Sequence, residues 1–221
     1  MKKIALVVGA TGLVGSQLVQ TLLDAEEYSK VIIWVRRPTR ITHEKLEEVN
    51  IDYEKLEEQP IDPGIDTVFC CLGTTIKKAK TKEAFKKVDF DYPFILAQKA
   101  KNARISYFSV ISAMGANEKS SLFYSQTKGQ LEAALRDIGF RRLSIFRPSL
   151  LLGRRDEFRL GEGVAAVLMS KILPFMFHGP LKRYRPIKGA VVAKAMYLDS
   201  LKPGKGSNIY QSYEIAELVK K

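Results

Sequence analysis

The chain begins with a strand-forming run, Lys3 to Val8, which closes on Gly9, Gly12 and Gly15 and passes directly into the helix-forming segment Ser16 to Leu23. Three glycines at every third position between a buried strand and a helix leave few folds open. Gly9 can turn the chain sharply at the strand end, and Gly15 lets the helix sit close to the sheet. Gly12 carries no Cβ to obstruct a ligand, and the helix N-terminus offers N–H groups and a partial positive charge. A strand, a glycine turn and a helix in this order suit the pyrophosphate of a dinucleotide, with Thr11, Leu13 and Val14 completing the turn. The spacing is G-x-x-G-x-x-G rather than the commoner G-x-G-x-x-G.

Strand and helix patterns alternate along the rest of the chain. Val31 to Val35 reads as a second buried strand, Ile51 to Tyr53 as a short third and Thr67 to Leu72 as a fourth. Glu44 to Asn50 and Glu54 to Gln59 read as acidic surface segments. A helix is expected from Thr81 and another from Tyr92 to Lys101, with Pro93 in its first turn. Ile105 to Ile111 follows as a strand, Phe123 to Ile138 as a helix ended by Gly139, and Leu143 to Phe146 as a sixth strand. This order implies an α/β fold, a Rossmann-type doubly wound parallel sheet with its ligand crevice at the carboxyl ends of the strands. At 221 residues one domain spanning 1–221 is expected. From Leu150 the pattern loosens into glycines and prolines, so residues 150–208 are expected to contribute a small C-terminal substrate cap. A final strand near Ile209 and a terminal helix holding Ile215 and Leu218 would close the chain.

Bulk properties narrow the function classes. No stretch approaches the roughly 18 uninterrupted apolar residues of a membrane span; the longest apolar run, Val164 to Phe177, is interrupted by Lys171 and Pro174. With no apolar signal region ahead of the first strand, a cytoplasmic location is expected. Cys70 and Cys71 are adjacent in a strand and point to opposite faces, which suits neither a disulfide nor a metal site. His43 lies in a charged stretch and His178 in a glycine-proline loop, so no metal is expected. The formal net charge of +12 raises the question of an anionic partner. Its basic residues are dispersed, at Lys77 to Lys87, Arg141-Arg142, Arg154 to Arg159 and Lys182 to Lys188, without interleaved aromatics or a helix-turn-helix pattern. That arrangement speaks against nucleic acid; a solvated basic surface and one that attracts an anionic small-molecule substrate explain the charge equally well, and monomer and homodimer both stay open.

At the end of the second strand an acid would pair with the 2′-hydroxyl of NAD, whereas arginine accommodates the 2′-phosphate of NADP. This chain has Arg36-Arg37 there, whose planar guanidinium groups can grip a phosphate in bidentate fashion, and NADP(H) is the expected cofactor. Two Tyr-x-x-x-Lys matches occur. Tyr184 to Lys188 contains Pro186 and cannot form a regular helical turn. Tyr124 and Lys128 fall in a helix, where positions four apart are neighbours. A phenol of ordinary pKa is a poor proton relay at neutral pH, and an adjacent ammonium favours its phenolate, so Lys128 is expected to bring Tyr124 toward the working range and to bond the nicotinamide ribose. Ser112, at the end of the fifth strand, is expected to present its hydroxyl to the same crevice and orient a carbonyl oxygen.

Gly9 to Gly15, Arg36-Arg37, Leu72-Gly73-Thr74-Thr75 after the fourth strand, Ser112, Tyr124 to Lys128 and Phe146-Arg147-Pro148 together resemble an atypical short-chain dehydrogenase/reductase. The chain is most similar to the Tat-interacting-protein-like NADPH-binding oxidoreductases, over essentially its whole length. The resemblance implies a Rossmann fold binding NADPH, with Leu72 to Thr75 beside the adenosine half and the segment after Pro148 near the nicotinamide. It also implies reduction of a carbonyl substrate by hydride transfer, with Tyr124 as general acid. A cofactor-binding regulator without turnover is the alternative; a nucleotide-sugar epimerase fits less well, because only about seventy residues follow the sixth strand and such enzymes usually retain NAD. Asp89 stands where the superfamily often has an asparagine of its catalytic tetrad, which puts the proton relay behind Lys128 in question.

Overall fold

The computed structural model describes residues 2–153 and 184–220. Seven parallel strands form one sheet in the order β3-β2-β1-β4-β5-β6-β9, where β1 is Lys3–Val8, β2 Tyr28–Val35, β3 Leu46–Asn50, β4 Thr67–Cys70, β5 Tyr107–Ile111, β6 Arg142–Arg147 and β9 Gly206–Gln211. A separate two-residue pairing joins β7 (Leu151–Leu152) to β8 (Ile187–Lys188). The doubly wound reading of the sequence is therefore what the chain adopts. Two apolar clusters, one on each face, follow from strand alternation: Ala5 and Val7 face one way, Leu6 and Val8 the other. The first face is covered by α1 (Gly15–Asp24), a later helix, Gly189–Leu201, and the terminal helix, Ser212–Leu218. The second is covered mainly by α4 (Tyr92–Asn102) and α5 (Phe123–Ile138). Cys70 and Cys71 join opposite clusters, as their adjacency in a strand requires.

Three local readings change. The third strand is Leu46–Asn50, within the stretch read as an acidic surface segment, and Tyr53–Lys55 is a 3₁₀ turn. The acids of this edge strand are spoken for: Glu47 pairs with Lys30 on β2 at 2.5 Å, and the Glu48 carboxylate accepts from the Thr39 N–H. The helix expected from Thr81 runs into the next one. Ile76–Ala79 forms a single turn, α2, after which α3 (Lys82–Lys86), a π-turn over Lys87–Asp91 and α4 are continuous. Pro93 accounts for the π-turn: in α geometry its ring would clash with the carbonyl of Asp89, four residues back, and widening the turn by one residue relieves the clash.

The third change concerns the cap. Gly189–Leu201, here α6, was expected within 150–208 but packs on α1 as part of the core, burying Val192, Ala193, Ala195 and Met196 completely. Residues 154–183, which include the expected cap residues Phe175, Met176 and Phe177, His178 and the basic run Arg154 to Arg159, lie outside the described residues.

At the amino ends of β5 and β6, far from the glycine turn, fully buried Asp199 of α6 gathers four donors. Arg142 reaches it at 2.7 Å, Tyr107 at 2.8 Å, Ser144 at 2.6 Å and Tyr210 at 2.7 Å. The helix is thereby pinned to three strands of the sheet. Asp199→Ala leaves the Arg142 guanidinium buried without its counter-charge, and urea unfolding is expected to register a loss of about 3–5 kcal/mol; a loss below about 1 kcal/mol would show that the network carries no such weight.

Candidate active site

The sheet order reverses between β1 and β4, so the loops leaving these strands diverge and open a crevice at their carboxyl ends. Val8 pairs with Cys70 and Cys70 with Val110, which delivers the glycine turn, the Leu72–Thr75 loop and the Ser112 region side by side. Gly9 takes φ +85°, and a Cβ there would lie 2.6 Å from the Cys71 carbonyl carbon and oxygen. At Gly15 a Cβ would overlap the Gly9 carbonyl oxygen. Gly12 is exposed, and a Cβ there would crowd the Gly9 carbonyl oxygen at 3.2 Å. Val14 gives α1 no side-chain cap, and its first turn holds no acid, so the helix end is free for an anion. Behind the turn, Leu13 packs against Gly153 and Gly189: a Cβ at Gly153 would force its side chain to move, and one at Gly189 would lie 3.0 Å from it.

Arg36 and Arg37 are exposed beyond the end of β2. Tyr53 lies beneath this corner and donates to the Trp34 carbonyl at 3.3 Å; its ring meets that of Tyr92 at 5.3 Å. Thr75 accepts from the Lys78 N–H and so caps α2 with its side chain, while Pro148 is buried and its carbonyl accepts from the Met114 N–H.

Lys128 and Asp89 form the centre of the site. The two are 3% and 1% exposed, and Nζ of Lys128 lies 2.7 Å from Oδ1 of Asp89. The other carboxylate oxygen, Oδ2, accepts the Thr74 N–H at 2.8 Å. One acid thus ties α5 to the loop after β4. Burial alone would depress the Lys128 pKa, but Asp89 and, less strongly, Tyr124 outweigh it and raise the value above that of an ordinary lysine. Tyr124 is 36% exposed and packs its ring 5.5 Å from Phe85. Its pKa is raised, not lowered: desolvation pushes it up, the Lys128 charge pulls it down, and Asp89 pushes it up again. The expectation that Lys128 draws Tyr124 toward neutrality is corrected for that reason: burial of the phenol outweighs the pull of the ammonium, and the Asp89 carboxylate adds to it.

Ser112 also differs from expectation. Its hydroxyl does not emerge into the crevice but donates at 2.5 Å to Oε1 of Glu132, which is completely buried. Glu132 stands eight residues beyond Tyr124 on α5, about 12 Å along the helix axis, and receives the Arg147 guanidinium through Nε at 2.9 Å and Nη2 at 2.5 Å. The sequence did carry a signal for this pair: Glu132 sits one helical turn after Lys128, on the face turned toward the sheet. Gly129 is a second missed feature, because the Asn117–Glu118 backbone presses so closely on α5 that no Cβ fits there. The Tyr184 match is not helical, as Lys188 lies in β8. The described residues contain no group of His, Cys, Asp and Glu suited to a metal ion.

The sequence profile of the NAD(P)H-binding family matches residues 9–142. Protein HTATIP2 of Rattus norvegicus is 36% identical over 208 residues, covering 92% of this chain and 84% of that protein. The chain belongs to the NAD(P)H-binding family, together with HTATIP2-like proteins. Another member of the group, the mitochondrial protein FMP52 of Debaryomyces hansenii, is 36% identical over 200 residues, covering 89% of this chain and 87% of its own length. Among solved structures, MoeE5 in complex with UDP-glucuronic acid and NAD superposes with a TM-score of 0.69 at 18% identity over 93% of this chain and 75% of that one. The UDP-N-acetylglucosamine 4-epimerase of Methanobrevibacter ruminantium does so with 0.69 at 21% identity, over 96% and 77%. At such identities these two show the shared fold. A nicotinamide cofactor follows for this family.

The cytoplasmic location expected from the sequence is overturned by the mitochondrial designation of several FMP52 relatives. No described helix is long and apolar enough to cross a membrane, and that fact does not specify a compartment, since this fold is built alike in either.

Because its Cβ meets the Gly9 carbonyl, Gly15→Ala must displace the turn. Dinucleotide affinity measured by fluorescence titration is expected to fall at least about tenfold while circular dichroism stays native; unchanged affinity would remove the turn from the binding site.

Proposed function

We propose that the chain is an NADP(H)-dependent oxidoreductase that reduces a carbonyl compound, with Tyr124 as general acid. The observation that carries this reading is the buried Lys128, held charged by Asp89 one helical turn from Tyr124 on a helix beside the glycine turn. The residues present fit the cofactor: an uncapped helix N-terminus without acids for the pyrophosphate, Gly9, Thr11, Gly12, Leu13, Val14 and Gly15 around it, and Leu72 to Thr75 alongside. Arg36, with Arg37 next to it, holds the 2′-phosphate, since no acid stands at the end of β2 to prefer a free hydroxyl. Pro148 leads the chain toward the nicotinamide end.

When bound, the reduced nicotinamide supplies a hydride, two electrons with a proton, to the carbonyl carbon. Tyr124 gives its phenolic proton to the carbonyl oxygen as that bond is reduced to an alcohol, and solvent water returns a proton to the phenolate. A raised pKa keeps Tyr124 in its proton-donating form throughout the neutral range. Lys128 holds the ribose and stabilises the phenolate left after transfer. Ser112, with its proton committed to Glu132, serves the site by fixing the end of β5 against α5, and its remaining lone pairs cannot donate to a substrate oxygen.

The commitment of Ser112 also favours a second reading, a cofactor-binding regulator without turnover. The two are separated by titrating NADPH and NADH into the wild type, Arg36→Ala and Tyr124→Phe, and assaying a panel of carbonyl compounds. NADPH is expected to bind tighter than NADH, and Arg36→Ala to weaken NADPH by about ten- to a hundredfold with little change for NADH. Tyr124→Phe is expected to lower kcat about 10²- to 10⁴-fold with NADPH affinity retained. Preference for NADH would contradict the role of Arg36, and tight NADPH binding without turnover of any carbonyl would establish the regulator.

A further inference from the structure

We propose that Asp89 is a positioning residue whose direct ion pair fixes Lys128 in its charged form while the same carboxylate holds the Thr74 backbone. The inference rests on the reading of Tyr124 and Lys128 as the proton-handling pair. An asparagine at this place could accept the Thr74 N–H, but it could not offset a charge. Asp89 does both, through Oδ1 to Lys128 at 2.7 Å and Oδ2 to Thr74 at 2.8 Å.

The local fold is arranged around this contact. Asp89 occupies the middle of the π-turn between α3 and α4, and π-turns recur at functional sites because the extra residue turns a side chain that a regular helix would aim elsewhere. Among the described residues its carboxylate has the two partners named, both belonging to segments that meet in the crevice. On the other side of the pair, Gly129 lets the loop after β5 lie on α5 directly beside Lys128. Gly73, next to Thr74, is exposed, and a Cβ there would come within 3.6 Å of Asp89 Oδ1. The carboxylate is therefore enclosed by helix, loop and lysine.

The charged groups that face Tyr124 among the described residues are few. Its own helix contributes Lys128, and the π-turn contributes Asp89. Helix α3 packs against it through the neutral ring of Phe85, and the Lys82 ammonium on that helix stands over Phe123, 5.4 Å from the ring centre. Cys70 lies behind Lys128 and is neutral, its thiol pushed up to about 12 by burial. Asp89 is thus the one acid in this set, and it opposes proton loss from Lys128 and from Tyr124 alike. Without it the coupled pair gives up its first proton at lower pH, whichever residue loses it. The consequence for the reaction is a working range that extends to high pH, since a reductive turn needs the phenol protonated and the ammonium charged together.

Asp89→Asn separates the electrostatic role from the structural one, because the amide oxygen can still accept from Thr74. Tyrosinate absorbance of each protein minus that of its Tyr124→Phe counterpart follows Tyr124 without any turnover. Asp89→Asn is expected to bring the first proton loss of the pair down by about one pH unit or more, to move the high-pH limb of kcat/KM the same way, and to leave NADPH affinity within about threefold. A folded Asp89→Asn protein whose titration and pH limb match the wild type would overturn the proposal, as would a uniform loss of rate with an unmoved limb. If the titration moves while the wild type reduces no carbonyl, the inference on Asp89 stands and the assignment as a reductase falls. A measurement independent of any Asp89 variant is the ¹³Cε chemical shift of Lys128 in the wild type, assigned with Lys128→Gln: it is expected to titrate above the surface lysines, and titration below them would overturn the proposal.

Discussion

A buried ion pair holds the centre of this molecule. Removing Lys128 and Asp89 from water costs several kcal/mol each, and their attraction repays that cost only because the geometry is short and the second carboxylate oxygen is also satisfied. Such a pair adds little net stability over apolar packing of similar volume. It instead ties three segments, α5, the turn ahead of α4 and the loop after β4, to one carboxylate. Pro93 shapes the turn, Gly129 admits the neighbouring loop, and the glycine turn after β1 faces what they enclose.

The parallel sheet makes that meeting possible. Its in-register pairing from β1 to β4 to β5 delivers three loops to one edge, and the reversal of strand order opens the space between them. The opposite end of the sheet is closed by the network on Asp199, which binds α6 to β5, β6 and β9. The two buried polar clusters differ: at Asp199 every donor is internal, whereas at Asp89 the cluster borders a half-exposed tyrosine and an exposed glycine.

Much of this was legible in the sequence, and the reasons for success and failure are physical. The glycine spacing, the alternation of strand and helix and the Phe123 to Ile138 helix with Gly139 at its end are local signals, and the structure follows them, with Gly139 in the left-handed conformation. The edge strand Leu46–Asn50 was hidden by its acids, whose partners Lys30 and Thr39 are distant in sequence. Helix α6 is apolar on nearly every side, so it lacks the period that marks a surface helix and read as part of a cap. The fate of the Ser112 hydroxyl depended on Glu132, whose helical spacing from Lys128 was a signal, and on Arg147, which only tertiary packing brings to that face of α5. Asp89 was noticed as a departure from a family pattern, but its contact with Lys128 depends on a π-turn that no sequence period announces.

In the proposed function Tyr124 would supply the proton to a carbonyl oxygen, and a reduced nicotinamide held by the glycine turn would supply the hydride. The most direct measurement is to load the protein with NADPH deuterated at the transferable position of the nicotinamide, supply the panel of carbonyl compounds, and read the alcohol products by mass spectrometry. The expected result is an alcohol carrying one deuterium on the former carbonyl carbon, formed by the wild type and nearly absent with Tyr124→Phe. Tight binding of the labelled cofactor with no deuterium in any product would contradict the account.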